Sequence, residues 1–346
     1  MVLHSFPYDP RMPYLGQLLE PDFVRHTIQK NMTGFGLTDA WRCEKVVCNR
    51  VKHRPGKSCT LRYEAEMRSA DGRTRQFKFF GKTYRTAISR HIYEVLLQIF
   101  KSASLGCGAL NIPKPIAHIA EANTVWQHAW EGKNLSRIGK DGNWQVLADP
   151  NTLEKIAFML AELHQIEIVD CRLRPWPSAE TILQNAAEDS AKIGRFLPNK
   201  EHQLKQVMEK IAASVAGRNE QIPHKTIHGT FKLAQILCNQ DQLALVDFDS
   251  VALGDPLYDV AEFVASLEYL KVTDGVDPLM IDRSISSFLS CYQSRVSWLW
   301  DSSRLAFYTV PFLLGKIHSS LKKMETGATD GISSALELVE KWAGEL

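Results

Sequence analysis

The stretch from Lys225 to Phe263, "KTIHGTFKLAQILCNQDQLALVDFDSVALGDPLYDVAEF", decides how the rest of the chain is read. A short loop opens with His228-Gly229, two apolar strands follow, and Asp247-Phe248-Asp249 closes the second. A hard cation such as Mg²⁺ takes oxygen ligands and keeps some waters, so one or two carboxylates plus substrate phosphates can hold it. Asp247 follows "LALV", the apolar run of a buried strand, so its carboxylate is expected to emerge at the strand end. Asp249 lies two residues on and would share that face if the segment stays extended. Two carboxylates on one face are costly without a cation or a basic partner. The alternatives are a cap on the next turn or a pairing with Lys232. The layout suits a site for a metal and phosphates.

Bulk properties narrow the surroundings of that loop. The 346 residues suffice for a large core and two domains or lobes. A formal net charge of +2 is too small to imply nucleic acid or an anionic membrane as partner. No window approaches the roughly 18 uninterrupted apolar residues of a membrane span. The most apolar late segment, "FYTVPFLLGKIH", is broken by Pro311 and Lys316. The first residues lack a basic segment followed by an apolar run, so no secretory signal is expected. The seven cysteines (Cys43, Cys48, Cys59, Cys107, Cys171, Cys238 and Cys291) form no Cys-x-x-Cys pair, which argues against zinc and thioredoxin-like chemistry. Buried thiols in a cytoplasmic protein are the expectation.

Along the chain, Pro55-Gly56 and Asp71-Gly72 interrupt runs of alternating character, and such dipeptides are hairpin signals. Trp41–Tyr84 therefore reads as a three-stranded antiparallel meander, preceded by a helical pattern over Pro21–Gln29. "ISRHIYEVLLQIF" has helical spacing, and "NIPKPIAHIAEANTVWQHAW" reads as two more short strands. From about Thr152 the chain is mainly helical, apart from the hairpin within Thr226–Ala252. The expected division is a sheet-rich lobe over residues 1–126 and a helical lobe over 127–346.

The motifs "HGTFKLAQIL", "LALVDFD" and "GDPLYDVAEF", with "LAELHQIEI" upstream, resemble the catalytic and metal loops of the aminoglycoside phosphotransferase and choline kinase-like family. That family shows His-Gly-Asp, then an Asn further along the loop, then the metal-binding Asp. The resemblance implies an α+β, bilobal protein-kinase-like fold with a small antiparallel-sheet N-lobe, a larger helical C-lobe, and ATP between them. It implies ATP and Mg²⁺ as cofactors and a small-molecule hydroxyl as acceptor.

Carried over by position, Asp247 is the implied metal-binding acid and Gln235 stands where the family has its second metal ligand. His228 is the implied structural imidazole, and Asp255 and Asp259 brace loop and helix. Thr230 replaces the catalytic Asp, and a threonine hydroxyl cannot act as a base near neutral pH. Lys232 stands where protein kinases place a lysine that neutralises the transferring phosphoryl group. Lys82 is the candidate for the α- and β-phosphates with Glu94 as partner, and Lys78 is its rival. The turn "RPGKS" occupies the place of the phosphate-covering loop. Gln127, His128 and Ala129 are expected beside adenine, while Trp126 and Trp130 read as core. Asp249 is a candidate for a second cation or for orienting the acceptor, with a turn cap as the alternative. The helices after Arg172 and after Ile281 would build the acceptor pocket; Glu180 and Glu188 there read as solvated faces.

A general base contributes roughly 10²–10⁴-fold, so phosphoryl transfer can survive its loss at a slow rate. The leading expectation is an ATP- and Mg²⁺-dependent small-molecule kinase. A pseudokinase that binds nucleotide and regulates a protein partner stands beside it, and a scaffold without nucleotide is the third reading.

Overall fold

Three long strands and two tight turns start the fold, as alternating residues and Gly punctuation demand. In a computed structural model, which describes residues 8–169, 173–216, 223–298, 300–322 and 329–346, strands β1 (Trp41–Arg54), β2 (Ser58–Ser69) and β3 (Thr74–Tyr84) form an antiparallel meander. Gly56 (φ 66°) and Gly72 (φ 87°) take the left-handed backbone of the two turns, a region that costs glycine little. Strands β4 (Pro115–Ile119) and β5 (Thr124–His128) complete a five-stranded sheet in the order β1-β2-β3-β5-β4. Tyr63, Phe79 and Trp126 are fully buried, with centroids 4.8 Å apart for Tyr63–Phe79 and 5.0 Å for Phe79–Trp126. Trp126 is thus core, while Trp130 is half-buried. Helix α1 (Pro21–Lys30) packs on β1, and α2 (Ile88–Leu105) buries Ile92, Val95, Leu96 and Ile99, an apolar stripe at helical spacing.

The chain divides into two compact units, one of Met1–Leu105, Asn111–Glu131 and Ile168–Cys171, the other of Gly106–Leu110, Gly132–Glu167 and Arg172–Leu346. Gln127 and His128 fall in the first because they pair with Phe80 and Phe79 of β3. The expectations for the opening residues, Cys171 and Arg172 lie outside the described residues.

The second unit begins with β6 (Lys133–Asn134), α3 (Leu135–Lys140) and α4 (Pro150–Gln165), followed by β7 (Arg174–Pro175), α5 (Ala179–Phe196) and α6 (Glu201–Ala216). Asp149 caps α4 by accepting from the N–H groups of Asn151 and Thr152, which have no partner inside the helix. Next come β8 (Lys225–Ile227), β9 (Ile236–Asn239), β10 (Gln242–Leu245) and β11 (Ala252–Gly254). They form two small sheets, β10-β9-β6 and β7-β11-β8. Helices α7 (Leu257–Thr273), α8 (Pro278–Gln293), α9 (Ser302–Leu321) and α10 (Thr329–Ala343) follow. Most of α7 is buried, including Asp259, Glu262 and Glu268, and α8, α9 and α10 pack around it. Three acids in such a helix need partners, because burying an unpaired charge is expensive. Two of those partners lead to the site.

Candidate active site

Asp259 ties the His228-Gly229 turn to α7. Its fully buried carboxylate accepts from the backbone N–H of His228 at 2.6 Å through Oδ2 and of Gly229 at 2.8 Å through Oδ1. The imidazole of His164, on α4, meets the same carboxylate through Nε2 at 3.1 Å, and its Nδ1 lies 2.7 Å from the Tyr292 hydroxyl on α8. Gly229 must be glycine: its φ is 76°, and a Cβ would stand 2.5 Å from the Ser250 carbonyl oxygen. One turn before Asp259, Asp255 caps α7 through the Leu257 N–H at 2.9 Å and pairs with buried Arg304 at 3.0 Å. Asp259 therefore braces the loop against α7, and Asp255 braces the start of α7 against α9.

His228 is itself fully buried, and burial lowers its pKa below the usual histidine value, so the ring is neutral. Its Nε2 faces the Val246 carbonyl oxygen at 3.1 Å. A carbonyl only accepts, so Nε2 carries the proton and Nδ1 is left as an acceptor. The Thr230 hydroxyl, 3.3 Å away, then donates to Nδ1. Its proton is committed to the loop, and its oxygen keeps lone pairs for another donor.

The β9–β10 hairpin brings the metal candidates together. Val246 N–H donates to the Gln235 carbonyl oxygen at 3.0 Å, so Gln235 lies beside the end of β10 where Asp247 emerges exposed. Gln235 is 9% exposed, yet its side-chain Oε1 is buried without a hydrogen-bond partner among the described residues. A buried amide oxygen in that condition is destabilising unless something fills its valence. A hard cation fits the oxygen set of Gln235 and Asp247. Among the described residues no three His, Cys, Asp or Glu side chains cluster as metal ligands, so such a cation would also need phosphate oxygens.

The expectation that Asp249 shares a face with Asp247 is corrected. Asp247 adopts left-handed backbone (φ 72°, ψ 57°) and Phe248–Ser250 is a 3₁₀ turn, so the segment is not extended. The physical reason is Phe248: its buried ring packs edge-on against His228 at 5.1 Å, which turns the chain at this point. Half-buried Asp249 lies on the turn, its backbone oxygen 3.4 Å from the Arg174 guanidinium.

Lys232 leads to residues that the sequence reading did not single out. Its ammonium, on a side chain 37% exposed, lies 3.6 Å from Oε1 of Glu262, one helical turn beyond Asp259 on α7. Burial raises the Glu262 carboxyl to about 7, against the opposing pull of Lys232 and Lys316. The same burial lowers Lys316, on α9, to about 8, and its ammonium donates to Ser266 Oγ at 2.9 Å. All three charged groups line a cavity of about 600 Å³ between α5, α7 and α9. The sequence signal was available: an acid inside the buried run "VAEFVASLEYL", and the lysine that interrupts "FYTVPFLLGKIH". On α5, Asp189 lines this cavity, while Glu180 and Glu188 are exposed.

In the first unit, Lys78 and Lys82 point to one face of β3, four residues apart. Lys78 is exposed and pairs with Glu131 at 3.1 Å; Lys82 is half-buried, opposite Thr60 and Val125. Glu94 accepts from Arg90, one turn back on α2, at 2.9 Å. In the connector, His128 N–H donates to the Lys114 carbonyl and Ala129 N–H to the Lys78 carbonyl, both at 2.9 Å. A purine could not use those two donors without breaking sheet bonds. The β1–β2 turn is similarly engaged: Gly56 N–H donates to buried Asp9 at 2.8 Å, and His53 Nε2 lies 2.9 Å from the same oxygen. The Gly56 N–H is the main cause of the lowered Asp9 pKa.

Solved structures with the same fold include choline kinase from Cryptosporidium parvum, at 11% identity, TM-score 0.58, covering 94% of this chain and 96% of that one. Plasmodium vivax ethanolamine kinase aligns at 12% identity and TM-score 0.55, over 94% and 90% of the two chains. An amicoumacin kinase in complex with AMP-PNP, Ca²⁺ and its antibiotic aligns at 11% identity and TM-score 0.54, over 86% and 88%. Comparison with curated proteins finds no match. The sequence profile of the phosphotransferase enzyme family matches residues 68–278, which run from the end of β2 through β3, the His228-Gly229 loop and α7. The chain has the α+β, protein-kinase-like fold and belongs to the phosphotransferase enzyme family.

Proposed function

We propose that this protein is a small-molecule kinase that moves the γ-phosphoryl group of ATP, with Mg²⁺, onto a hydroxyl of its acceptor. The observation that carries the reading is the Gln235 Oε1, buried without a partner beside Asp247 on a loop that Asp259 holds in place. Gln235 and Asp247 would hold the cation. Magnesium, when bound, offsets the negative charge of the phosphate oxygens. Lys232 neutralises charge on the phosphoryl group as it transfers. Thr230, its proton donated to His228, presents only lone pairs to the site and would take no proton from the acceptor. Asp249, on the turn after Asp247, would support a second cation or the acceptor. In the first unit, Lys82 would contact the nucleotide phosphates with Glu94 as its partner, and Gln127, His128 and Ala129 would lie beside adenine. The acceptor would occupy the cavity that Lys232 lines.

The missing carboxylate at position 230 favours a second reading, a pseudokinase that binds nucleotide and regulates a protein partner. Thermal-shift titration with ATP plus Mg²⁺, repeated on Asp247→Ala, separates the cases. Stabilisation of the wild type that Asp247→Ala weakens supports a metal-dependent nucleotide site. No ATP-dependent shift sinks both readings. Binding without ATP hydrolysis, and without transfer to a panel of hydroxylated metabolites, leaves the pseudokinase.

A further inference from the structure

The α7 helix presents two acids to the loop, three residues apart and therefore neighbours on one face. Asp259 holds the loop's first residues by their N–H groups, and Glu262 reaches Lys232 near the loop's other end. Phe263, next on α7, packs against Phe231 with centroids 5.5 Å apart, which fixes this registration. Glu262 is 6% exposed, lines the cavity, and has a buried Oε2 without a hydrogen-bond partner among the described residues. Buried Asp255 and Glu268 also carry a carboxylate oxygen without a hydrogen-bond partner among the described residues, but of these three acids only Glu262 lines the cavity, beside Lys232. Residue 230, meanwhile, offers no base.

We propose that the cavity receives the acceptor alcohol and that Glu262, in place of an acid at position 230, takes the proton of its hydroxyl. This rests on the kinase reading above. The acceptor oxygen forms its bond to the γ-phosphorus of ATP as the bond from phosphorus to the β–γ bridging oxygen breaks. ADP leaves with that electron pair. The hydroxyl proton passes to Glu262 Oε2 and then to solvent. Lys232, 3.6 Å from the other carboxylate oxygen, stands where it can balance charge on both the carboxylate and the phosphoryl group.

The charged and titratable surroundings fit a group that must gain and lose a proton. Lys232 faces Glu262 from the loop and Lys316 from α9, while Asp259 and Tyr258 share its helix. Asp189 on α5 is occupied by His318 of α9 at 2.6 Å, and Tyr269 and Tyr308 add phenol groups to the lining. Burial is the largest influence on Glu262 and sets its carboxyl to about 7, where a base loses and regains a proton readily. At roughly 600 Å³, the cavity is of a size for one small alcohol.

The test uses the full chain with Mg·ATP, water standing in as the acceptor hydroxyl. ADP release is followed against pH in wild type, Glu262→Gln, Glu262→Asp and Asp247→Ala. Nucleotide-dependent thermal shifts are measured in parallel, and the glutamate carboxyls are followed by ¹³C NMR. The proposal expects wild-type turnover to rise with pH through about 7. Glu262→Gln should lower it about 10²-fold or more and abolish that limb, with the nucleotide shift retained. One carboxyl signal titrating near neutrality should vanish in Glu262→Gln. Glu262→Asp should recover part of the rate together with the limb; it also serves if the glutamine variant does not fold. Unchanged rate and limb in Glu262→Gln overturn the proposal. A nucleotide shift with no turnover above Asp247→Ala also overturns it, while leaving nucleotide binding intact. Absence of any nucleotide shift instead sinks the kinase reading itself.

Discussion

Removing the Asp259 carboxylate should unlatch the His228-Gly229 loop while leaving its sequence untouched. The Asp259→Ala variant strips partners from three donors: the N–H groups of His228 and Gly229 and the His164 ring nitrogen. His228, Gly229 and His164 are buried, so water does not replace the lost acceptor without rearrangement. Each buried donor left unpaired costs about 1–3 kcal/mol, which gives roughly 3–6 kcal/mol for three after partial relaxation. That is comparable with the whole stability of many domains. Asp259→Asn separates hydrogen bonding from shape. Its amide oxygen, placed at Oδ2, still serves His228 and His164, while its NH₂ faces the Gly229 N–H, a loss of about 1–3 kcal/mol. Hydrogen exchange reads the effect locally: the amides of His228 and Gly229 should lose protection in the alanine variant, and mainly Gly229 in the asparagine variant. Urea unfolding of both variants supplies the global figure. If those two amides remain protected in Asp259→Ala, or the variant loses less than about 1 kcal/mol, then Asp259 does not hold the loop.

Two further outcomes can be checked with the same protein. Lys82→Met should reduce the ATP-dependent thermal shift, whereas Lys78→Met should not, because Lys78 is exposed and already paired with Glu131; equal effects refute the assignment. The Glu262 carboxyl is raised from 4.5 to about 7 in the folded state, so the stability it contributes is complete below about 4.5 and is lost as pH rises through about 7. Lys316 is shifted the other way, with stability lost as pH falls through about 8, above that window. Glu262→Gln should therefore gain stability relative to wild type between pH 5 and pH 8, by at most roughly 3 kcal/mol. A wild-type-minus-variant difference that stays flat across that range contradicts a buried, raised carboxyl.

Much of the fold was legible because its signals are local. Pro55-Gly56 and Asp71-Gly72 demand turns that only those residues form cheaply, and the alternating runs around them pair as the meander β1–β3. The spacing of Ile92, Val95, Leu96 and Ile99 marks α2 without knowledge of its neighbours. The motif around His228, Asp247 and Asp259 depends on short sequence separations and named the family. Asp249 was misplaced because the bend at Asp247 follows from a tertiary contact, the packing of Phe248 against His228.

The amino-acid order alone thus determined the element sequence, the family and the position of the His228-Gly229-Thr230 loop. Only the tertiary structure decided what that loop touches. Asp259 meets two N–H groups about thirty residues upstream. Glu262 meets Lys232 from another element, and Lys316 joins their cavity from α9. Such meetings depend on how helices pack, and helix periodicity gives each residue a face without naming what lies opposite. Burial then acts on what packing brings together: it shifts Glu262 and Lys316 toward one another in pKa, which no local stretch of sequence encodes.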